Sequence, residues 1–156
     1  MAHKTTYKVQ NRRKREGKTN YGSRLGMLLS HKPRLVVRKS NNNIALQIVE
    51  YHPEGDRALA SAHSKELMEL GYTGHGGNAK AGYLVGYLGG TRAVKNKIDK
   101  AVLDIGMAPP VKGSTVFAVL LGAIEAGLDV PHNKEILPPV ERFSDLADVK
   151  KKITGA

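Results

Sequence analysis

The sequence predicts an α/β fold, with a mixed sheet packed against helices and preceded by a basic N-terminal arm. Three observations lead to this prediction. Apolar and polar residues alternate from Arg34 to His63, helical spacing replaces that alternation after Ser64, and positive charge is concentrated near the N-terminus. The 156 residues suffice for one domain that buries a core without disulfides.

The net charge of the chain is confined to its first forty residues. Residues 1–40 hold 12 of the 25 Lys and Arg residues and one of the 14 acids, which gives a net charge of +11. The other residues carry 13 basic and 13 acidic side chains, so they contribute no net charge. Like charges at this density repel one another unless a polyanion neutralises them, and nucleic acid is the strongest candidate. A solvated basic tail without a partner is the alternative.

Composition argues against several other classes of protein. The chain has no cysteine, so disulfides and thiolate metal sites are excluded. No run approaches the roughly 20 apolar residues of a membrane span, and residues 1–8 contain no apolar stretch typical of a signal peptide. Residues 11–18 have no apolar face with which to lie on a membrane. We therefore expect a cytoplasmic protein without a membrane partner.

Residues 1–31 are predicted to form the arm. We expect residues 1–6 to be disordered and residues 10–30 to form two short helices or one interrupted helix. Leu25, Leu28 and Leu29 recur at helical spacing, which predicts that they attach the second helix to the core.

A three-stranded antiparallel meander is predicted to follow Pro33. Residues 34–39 alternate between the two faces of a strand, and residues 40–43 form a turn because asparagine tolerates positive φ. Residues 44–51 alternate again, and a turn at residues 53–56 leads to a strand of small residues from 58 to 63.

Helices and one strand are predicted for the rest of the chain. A short helix begins at the cap Ser64, a longer one runs from the cap Asn78 to about Lys95, and an apolar helix begins at the cap Ser114. A strand at residues 101–105 separates the last two, so the mixed sheet consists of three antiparallel strands and then helix–strand–helix. Residues 32–135 form this α/β domain, and a C-terminal helix lies within residues 136–156.

Glycine recurs every four residues along the longer predicted helix, at Gly82, Gly86 and Gly90. A phosphate loop is excluded because no Lys-Ser/Thr pair follows, and the uncharged run is too short for a membrane segment. The stripe therefore predicts a close approach of this helix to the sheet.

The basic cluster of the arm is the strongest candidate binding site. Arginine forks match phosphate oxygens, and each phosphate contact releases condensed counterions. The pattern indicates a polyanion without separating RNA from DNA, and a solvated helix face is the alternative. The predicted contacts are Lys8, Arg12, Arg13, Lys14, Arg15, Lys18 and Arg24.

The first strand and its turn extend this predicted surface. Arg34 and Arg38 share one face of the strand, and Lys39, Ser40 and Asn41 lead into the turn. Such a face can contact sugar hydroxyls and base edges in RNA, whereas an edge strand protected by charge is the alternative.

Two tyrosines flank the basic run. Tyr7 and Tyr21 could stack on bases, although Tyr21 could equally pack in the interior. The chain has no Trp and two Phe, which does not support a larger aromatic stacking platform.

No catalytic residue, metal ligand, cofactor or small-molecule substrate is predicted. Asp104 is the one carboxylate placed like a nuclease metal ligand, but the meander supplies only Glu50 as a partner. His63 lies beside Ser61 and Ser64 without the G-x-S-x-G turn of acyl-transfer enzymes, and the six histidines lack metal-ligand spacing. An RNA-processing nuclease and a DNA-associated architectural protein are the alternative functions.

Several segments resemble one protein family in the same order. They are NRRKREGKTNY at 11–21, KPRLVVRKSN at 32–41, LASAHS at 59–64, AVLDIG at 101–106, GSTVFA at 113–118 and GAIEAGLDVPHN at 122–133. Together they resemble the archaeal and eukaryotic form of large-subunit ribosomal protein eighteen, over residues 7–135. Eukaryotic members carry long C-terminal extensions, so the archaeal type fits this chain better.

The resemblance implies a structural protein of the large ribosomal subunit in the cytoplasm. Such a protein binds 5S rRNA and helps attach it to the large-subunit rRNA in the central protuberance, beside neighbouring ribosomal proteins. The implied fold is a ribonuclease-H-like sheet without the active site. Carried over by position, RNA contacts fall on Arg12, Arg13, Lys14, Arg15, Lys18, Tyr21, Arg34, Arg38, Lys39, Ser40 and Asn41.

Overall fold

The computed structural model describes residues 8–155. The disorder predicted for residues 1–6 and the stacking predicted for Tyr7 concern residues outside this range. The helices are α1 (Arg12–Arg15), α2 (Tyr21–Leu28), α3 (Glu66–Glu69), α4 (Ala79–Lys95), α5 (Thr115–Glu125) and α6 (Ala147–Gly155). The strands are β1 (Arg34–Lys39), β2 (Ile44–Glu50), β3 (Arg57–His63) and β4 (Val102–Asp104).

The four strands form one mixed sheet in the order β3-β2-β1-β4. β1, β2 and β3 are antiparallel neighbours, and β4 pairs with β1 in parallel, with Val36 opposite Asp104. An isolated parallel bridge between Lys100 and Asp129 lies just before β4. The predicted mixed sheet is therefore confirmed.

One face of the sheet carries the core. Leu35, Leu46 and Ile48 are fully buried there, and α4 packs on β2 and β3 while α5 lies against α4. On the opposite face the side chains of Gln47 and Ser61 are exposed, whereas Arg34 and Val49 are buried. The alternation seen in the sequence thus separates the helix-covered core face from a partly exposed one.

The glycine stripe of α4 faces α5, so the prediction that it faces the sheet is wrong. A Cβ atom at Gly86 would overlap the carbonyl oxygen of Val119, and one at Gly122 of α5 would overlap the carbonyl oxygen of Tyr83. The two helix backbones are therefore in direct contact. A different glycine of α4, Gly89, lies against Leu46 of the sheet.

Of the three predicted helix caps, the structure confirms Asn78 and does not confirm Ser114 or Ser64. Asn78 caps α4, because its side chain accepts a hydrogen bond from the backbone N–H of Ala81 at 2.7 Å. Ser114 makes no side-chain cap at α5. Ser64 instead accepts a hydrogen bond through its hydroxyl oxygen from the N–H of Ile44 at 3.1 Å, which joins the residue after β3 to the start of β2.

The C-terminal segment packs on α4. A 3-10 helix at Val140–Leu146 precedes α6, so the predicted helix begins a few residues later than the sequence pattern suggests. The rings of Tyr83 and Phe143 stack with centroids 4.5 Å apart, and Ile153 is buried. A further 3-10 helix lies at Lys134–Ile136. No helix within residues 8–155 combines the length and apolarity needed to cross a bilayer.

The prediction that leucines attach α2 to the core is wrong for two of the three. Leu25 and Leu29 are 61% and 68% exposed, and only Leu28 is half-buried. The eight-residue helix contains no buried residue. Its position depends instead on a polar contact of Arg24 with the body, described below.

Candidate nucleic-acid interface

The basic cluster of the arm is exposed to solvent. α1 consists of four consecutive basic residues, none of them buried. Glu16 forms surface ion pairs with Arg12 at 3.6 Å and with Lys18 at 2.9 Å. Arg13, Lys14 and Arg15 make no ion pair with any carboxylate of residues 8–155, so their charge is available to a polyanion. The exposed basic side chains are those of Lys8, Arg12, Arg13, Lys14, Arg15 and Lys18.

An alternating chain of arginine and aspartate side chains joins the arm to the sheet. Arg24 of α2 contacts Asp56, Asp56 contacts Arg34 of β1, Arg34 contacts Asp104 of β4, and Asp104 contacts Arg38 of β1. Three cations alternate with two anions, so the group carries a net charge of +1. It lies on the face of the sheet opposite the core, since Arg34 and Arg38 share the face of Gln47.

Arg34 is the buried centre of this arginine–aspartate chain, so in this structure its side chain is not accessible for the RNA contact predicted for it. Its side chain is 3% exposed. One Nη donates to Asp104 Oδ2 at 3.0 Å and the other to Asp56 Oδ2 at 2.6 Å, while its Nε has no hydrogen-bond partner in the described part of the chain. Two aspartates therefore occupy the donors that a phosphate would need.

Arg38 remains accessible although it is held in place. Its side chain is 51% exposed. One Nη donates to the carbonyl oxygens of Val37 at 2.8 Å and Asp104 at 2.9 Å, and the other donates to Asp104 Oδ1 at 3.1 Å. These bonds fix the guanidinium, so it can meet a ligand without losing side-chain freedom at that moment.

Arg24 attaches α2 to the body. One of its Nη atoms donates to both oxygens of Asp56, at 2.9 and 3.0 Å, and the side chain is 34% exposed. α2 is also capped by Asn20, whose side chain accepts from the N–H of Ser23 at 3.2 Å. Tyr21, the first residue of α2, is 38% exposed, so interior packing does not describe it.

The β1–β2 turn presents the remaining predicted contacts. Ser40 and Asn43 close it, with Ser40 N–H donating to the Asn43 carbonyl at 2.8 Å and Asn43 N–H donating to Ser40 Oγ at 3.0 Å. Lys39, Ser40 and Asn41 are exposed. β4 pairs with β1 only at residues 34–36, so the alternative of a charge-protected edge strand is excluded there but still applies to Arg38 and Lys39.

Comparisons with known proteins identify the family of this chain. A family model described as ribosomal large subunit proteins 60S L5 and 50S L18 matches residues 5–100, which include every predicted RNA contact. The chain is also 51% identical over 144 residues to large ribosomal subunit protein uL18 of Methanococcus maripaludis, covering 92% of this chain and 75% of that protein.

This chain belongs to the L5/L18 family of large-subunit ribosomal proteins. The family resemblance found in the sequence is therefore confirmed, and the similarity to the Methanococcus protein supports the archaeal type.

The sequence analysis does not predict two residues of the candidate interface. Asp56 lies in the predicted turn before β3. Gln47 of β2 lies opposite Val36, on the same face as Arg38. The alternation of β2 could have placed Gln47 on that face, whereas no local pattern connects Asp56 with Arg24, 32 residues away.

Asp104 is occupied by basic partners in this L5/L18 protein. Its carboxylate accepts from Arg34, from Arg38 and from the N–H of Gly106 at 2.9 Å. Among residues 8–155 no group of three His, Asp or Glu side chains could hold a metal ion. The carboxylate of Asp104 thus holds two arginine side chains in position.

Proposed function

We propose that this protein binds 5S rRNA and helps attach it to the large-subunit rRNA in the central protuberance of cytoplasmic ribosomes. In this proposal it is a structural constituent and not an enzyme, and neighbouring large-subunit ribosomal proteins are its other partners. Membership of the L5/L18 family supports the ribosomal part. The position of the charge within the fold supports the RNA part.

The observation that carries the proposal is the continuity of exposed cations from the arm to the sheet. The arm contributes its basic cluster, and Arg38 and Lys39 continue it along β1 to the turn at Ser40 and Asn41. Arginine and lysine contact phosphates, while the turn hydroxyl and amide can bond 2′-hydroxyls or base edges. The proposed contacts are Lys8, Arg12, Arg13, Lys14, Arg15, Lys18, Tyr21, Arg24, Arg38, Lys39, Ser40 and Asn41, without Arg34.

The proposal includes a division of labour within the chain. Residues 1–31 act as the basic arm, residues 32–135 as the RNA-binding α/β domain, and residues 136–156 as a C-terminal helical segment. We further propose a ribonuclease-H-like fold without an active site. The strand order β3-β2-β1-β4, with β4 parallel to β1, supports that assignment.

Binding measurements with three nucleic acids test this function. The purified protein should bind 5S rRNA more tightly than tRNA or duplex DNA, and the affinity should fall steeply with salt because phosphate contacts release counterions. Comparable affinity for duplex DNA would favour the architectural alternative. Loss of intact RNA on incubation with Mg²⁺, abolished by Asp104→Asn, would favour the nuclease alternative.

A further inference from the structure

A cleft of about 100 Å³ lies between the arm and the adjoining ends of β1 and β4. Basic side chains line it from both sides, with Arg13, Lys18 and Arg24 from the arm and Arg38 from β1. Four basic side chains from separate segments of the chain thus line one small space. Like charges converge in this way at a cost unless an anion lies between them.

Several donors of the cleft are unused by the protein. Arg13 donates through Nε to Thr19 Oγ1 at 2.9 Å, and its two Nη atoms have no hydrogen-bond partner among residues 8–155. Arg24 uses one Nη for Asp56, which leaves its other Nη without a partner in the same part of the chain. Ser23 adds a hydroxyl to the lining that makes no side-chain hydrogen bond to a described residue.

The acidic content of the cleft is small. Asp104 is the only acid that lines it within the described residues, and both its oxygens already accept from Arg34, Arg38 or the N–H of Gly106. Lys18 pairs with Glu16, which is not part of the lining. Positive charge and free donors therefore exceed what the protein neutralises here.

We propose that this cleft binds one backbone phosphate of the bound RNA between Arg13, Arg24 and Arg38. The inference rests on the proposed function and assigns it a specific phosphate site. Arginine forks match phosphate oxygens, and the space admits the tetrahedral group. Within residues 8–155, Met27 is the one apolar side chain that lines the cleft, which suits a phosphate better than a stacked base.

Asp104 acts in this site as a positioning residue. It holds one Nη of Arg38 through Oδ1 and the other through its carbonyl oxygen, so the guanidinium presents its remaining N–H groups in a fixed direction. Gly106 lies directly beneath that guanidinium, because a Cβ there would come within 2.9 Å of Arg38 Cζ. A phosphate that enters the cleft meets a preformed fork.

The salt dependence of binding to 5S rRNA tests the site. Arg38→Gln should lower the slope of log K against log salt by about 0.7–0.9, the value for one lost phosphate contact. Arg57→Gln is the matched control, because it removes one positive charge from an exposed residue that does not line the cleft. Equal slopes for the two variants would overturn the proposal.

A second pair of variants adds a negative charge instead of removing a positive one. Ser23→Glu places a carboxylate among the arginines and should lower the slope by the same amount. Leu25→Glu adds the same charge two residues further along α2, at an exposed position outside the lining, and should have a smaller effect. A Ser23→Glu protein with the wild-type slope would show that no phosphate occupies the cleft.

Failure of the proposed function can be distinguished from failure of this site. If the wild-type protein does not bind 5S rRNA, the proposed function is wrong, and inorganic phosphate then becomes the probe. Phosphate should shift the NMR signals of the Arg13 and Arg38 side-chain N–H groups in the wild type but not in Ser23→Glu. No shift, or the same shift in both proteins, overturns the cleft.

Discussion

The guanidinium of Arg34 and the carboxylate of Asp104 form a buried ion pair across the parallel strands β1 and β4, with Nη1 and Oδ2 separated by 3.0 Å. Their side chains are 3% and 6% exposed. A buried pair contributes little over an apolar pair, but removing one partner leaves the other without compensation. Here Asp104 also holds Arg38, so the pair links the stability of the fold to the geometry of the proposed interface.

Removal of Asp104 should therefore be costly. We expect Asp104→Ala to lower the free energy of unfolding by about 3 kcal/mol, because the buried Arg34 loses one of its two carboxylate partners. Arg38→Ala removes the half-exposed partner of the same aspartate and should cost no more than about 1 kcal/mol. Urea denaturation of the two variants checks this order, and equal losses would contradict it.

Truncation of the arm should separate folding from binding. A protein lacking residues 1–24 should keep a cooperative thermal transition, because α1 and α2 contain no buried residue. Its affinity for 5S rRNA should become less sensitive to salt by several phosphate contacts, each worth about 0.7–0.9 in the log–log slope. An unchanged slope would exclude the arm from the interface.

Contact between the backbones of α4 and α5 should make Gly86 intolerant of a side chain. Gly86→Ala should destabilise the protein by about 1–3 kcal/mol, because its methyl group overlaps the carbonyl of Val119 and the helices must separate. Gly26→Ala is the control, since no atom of residues 8–155 lies within 4 Å of a Cβ on that residue of α2. There alanine should be neutral or stabilise the helix by up to about 1 kcal/mol. Chemical denaturation that ranks the two variants in the opposite order would refute the close contact.

A hydrogen-bonded group at the C-terminal segment should make stability depend on alkaline pH. Tyr83 donates to Glu125 Oε2 at 2.5 Å, and Lys150 donates to the same oxygen at 2.7 Å. Burial, followed by the bond to Glu125, raises the pKa of Tyr83 above its usual value. Burial opposes the charge of Lys150, but its bonds to Glu125 and Tyr83 outweigh that effect and raise its pKa as well.

Both shifts have the same consequence for stability. A raised pKa in the folded state favours the protonated form, so the stabilisation is complete below the ordinary pKa values and decreases as pH rises through the folded-state values. We expect the unfolding free energy to fall above about pH 10. Tyr83→Phe should weaken this dependence. Tyr87→Phe should retain it, because the Tyr87 hydroxyl makes no hydrogen bond to Glu125 among the described residues. Denaturation curves from pH 8 to 11 that are identical for both variants would count against the explanation.

Local patterns in the sequence were enough to place most elements. Alternation over residues 34–39 predicted β1 with the bounds found in the structure, and Asn78 marked the start of α4. The exposed cluster of α1 was visible as four consecutive basic residues. Each of these features depends on residues close together in the chain, where side-chain period and capping act directly.

Contacts between distant residues required the folded chain. Arg34 has the same sequence signature as Arg38, yet Arg34 is buried between Asp56 and Asp104, from segments 22 and 70 residues away, whereas Arg38 contacts Asp104 alone of the two and stays half-exposed. The leucines of α2 have helical spacing, but no apolar surface of the body meets two of them. The glycines of α4 face a second helix because the α4–α5 packing brings two backbones into contact. Local chemistry thus specified the elements and their charge, while long-range packing selected which of the charged side chains remain accessible to a ligand.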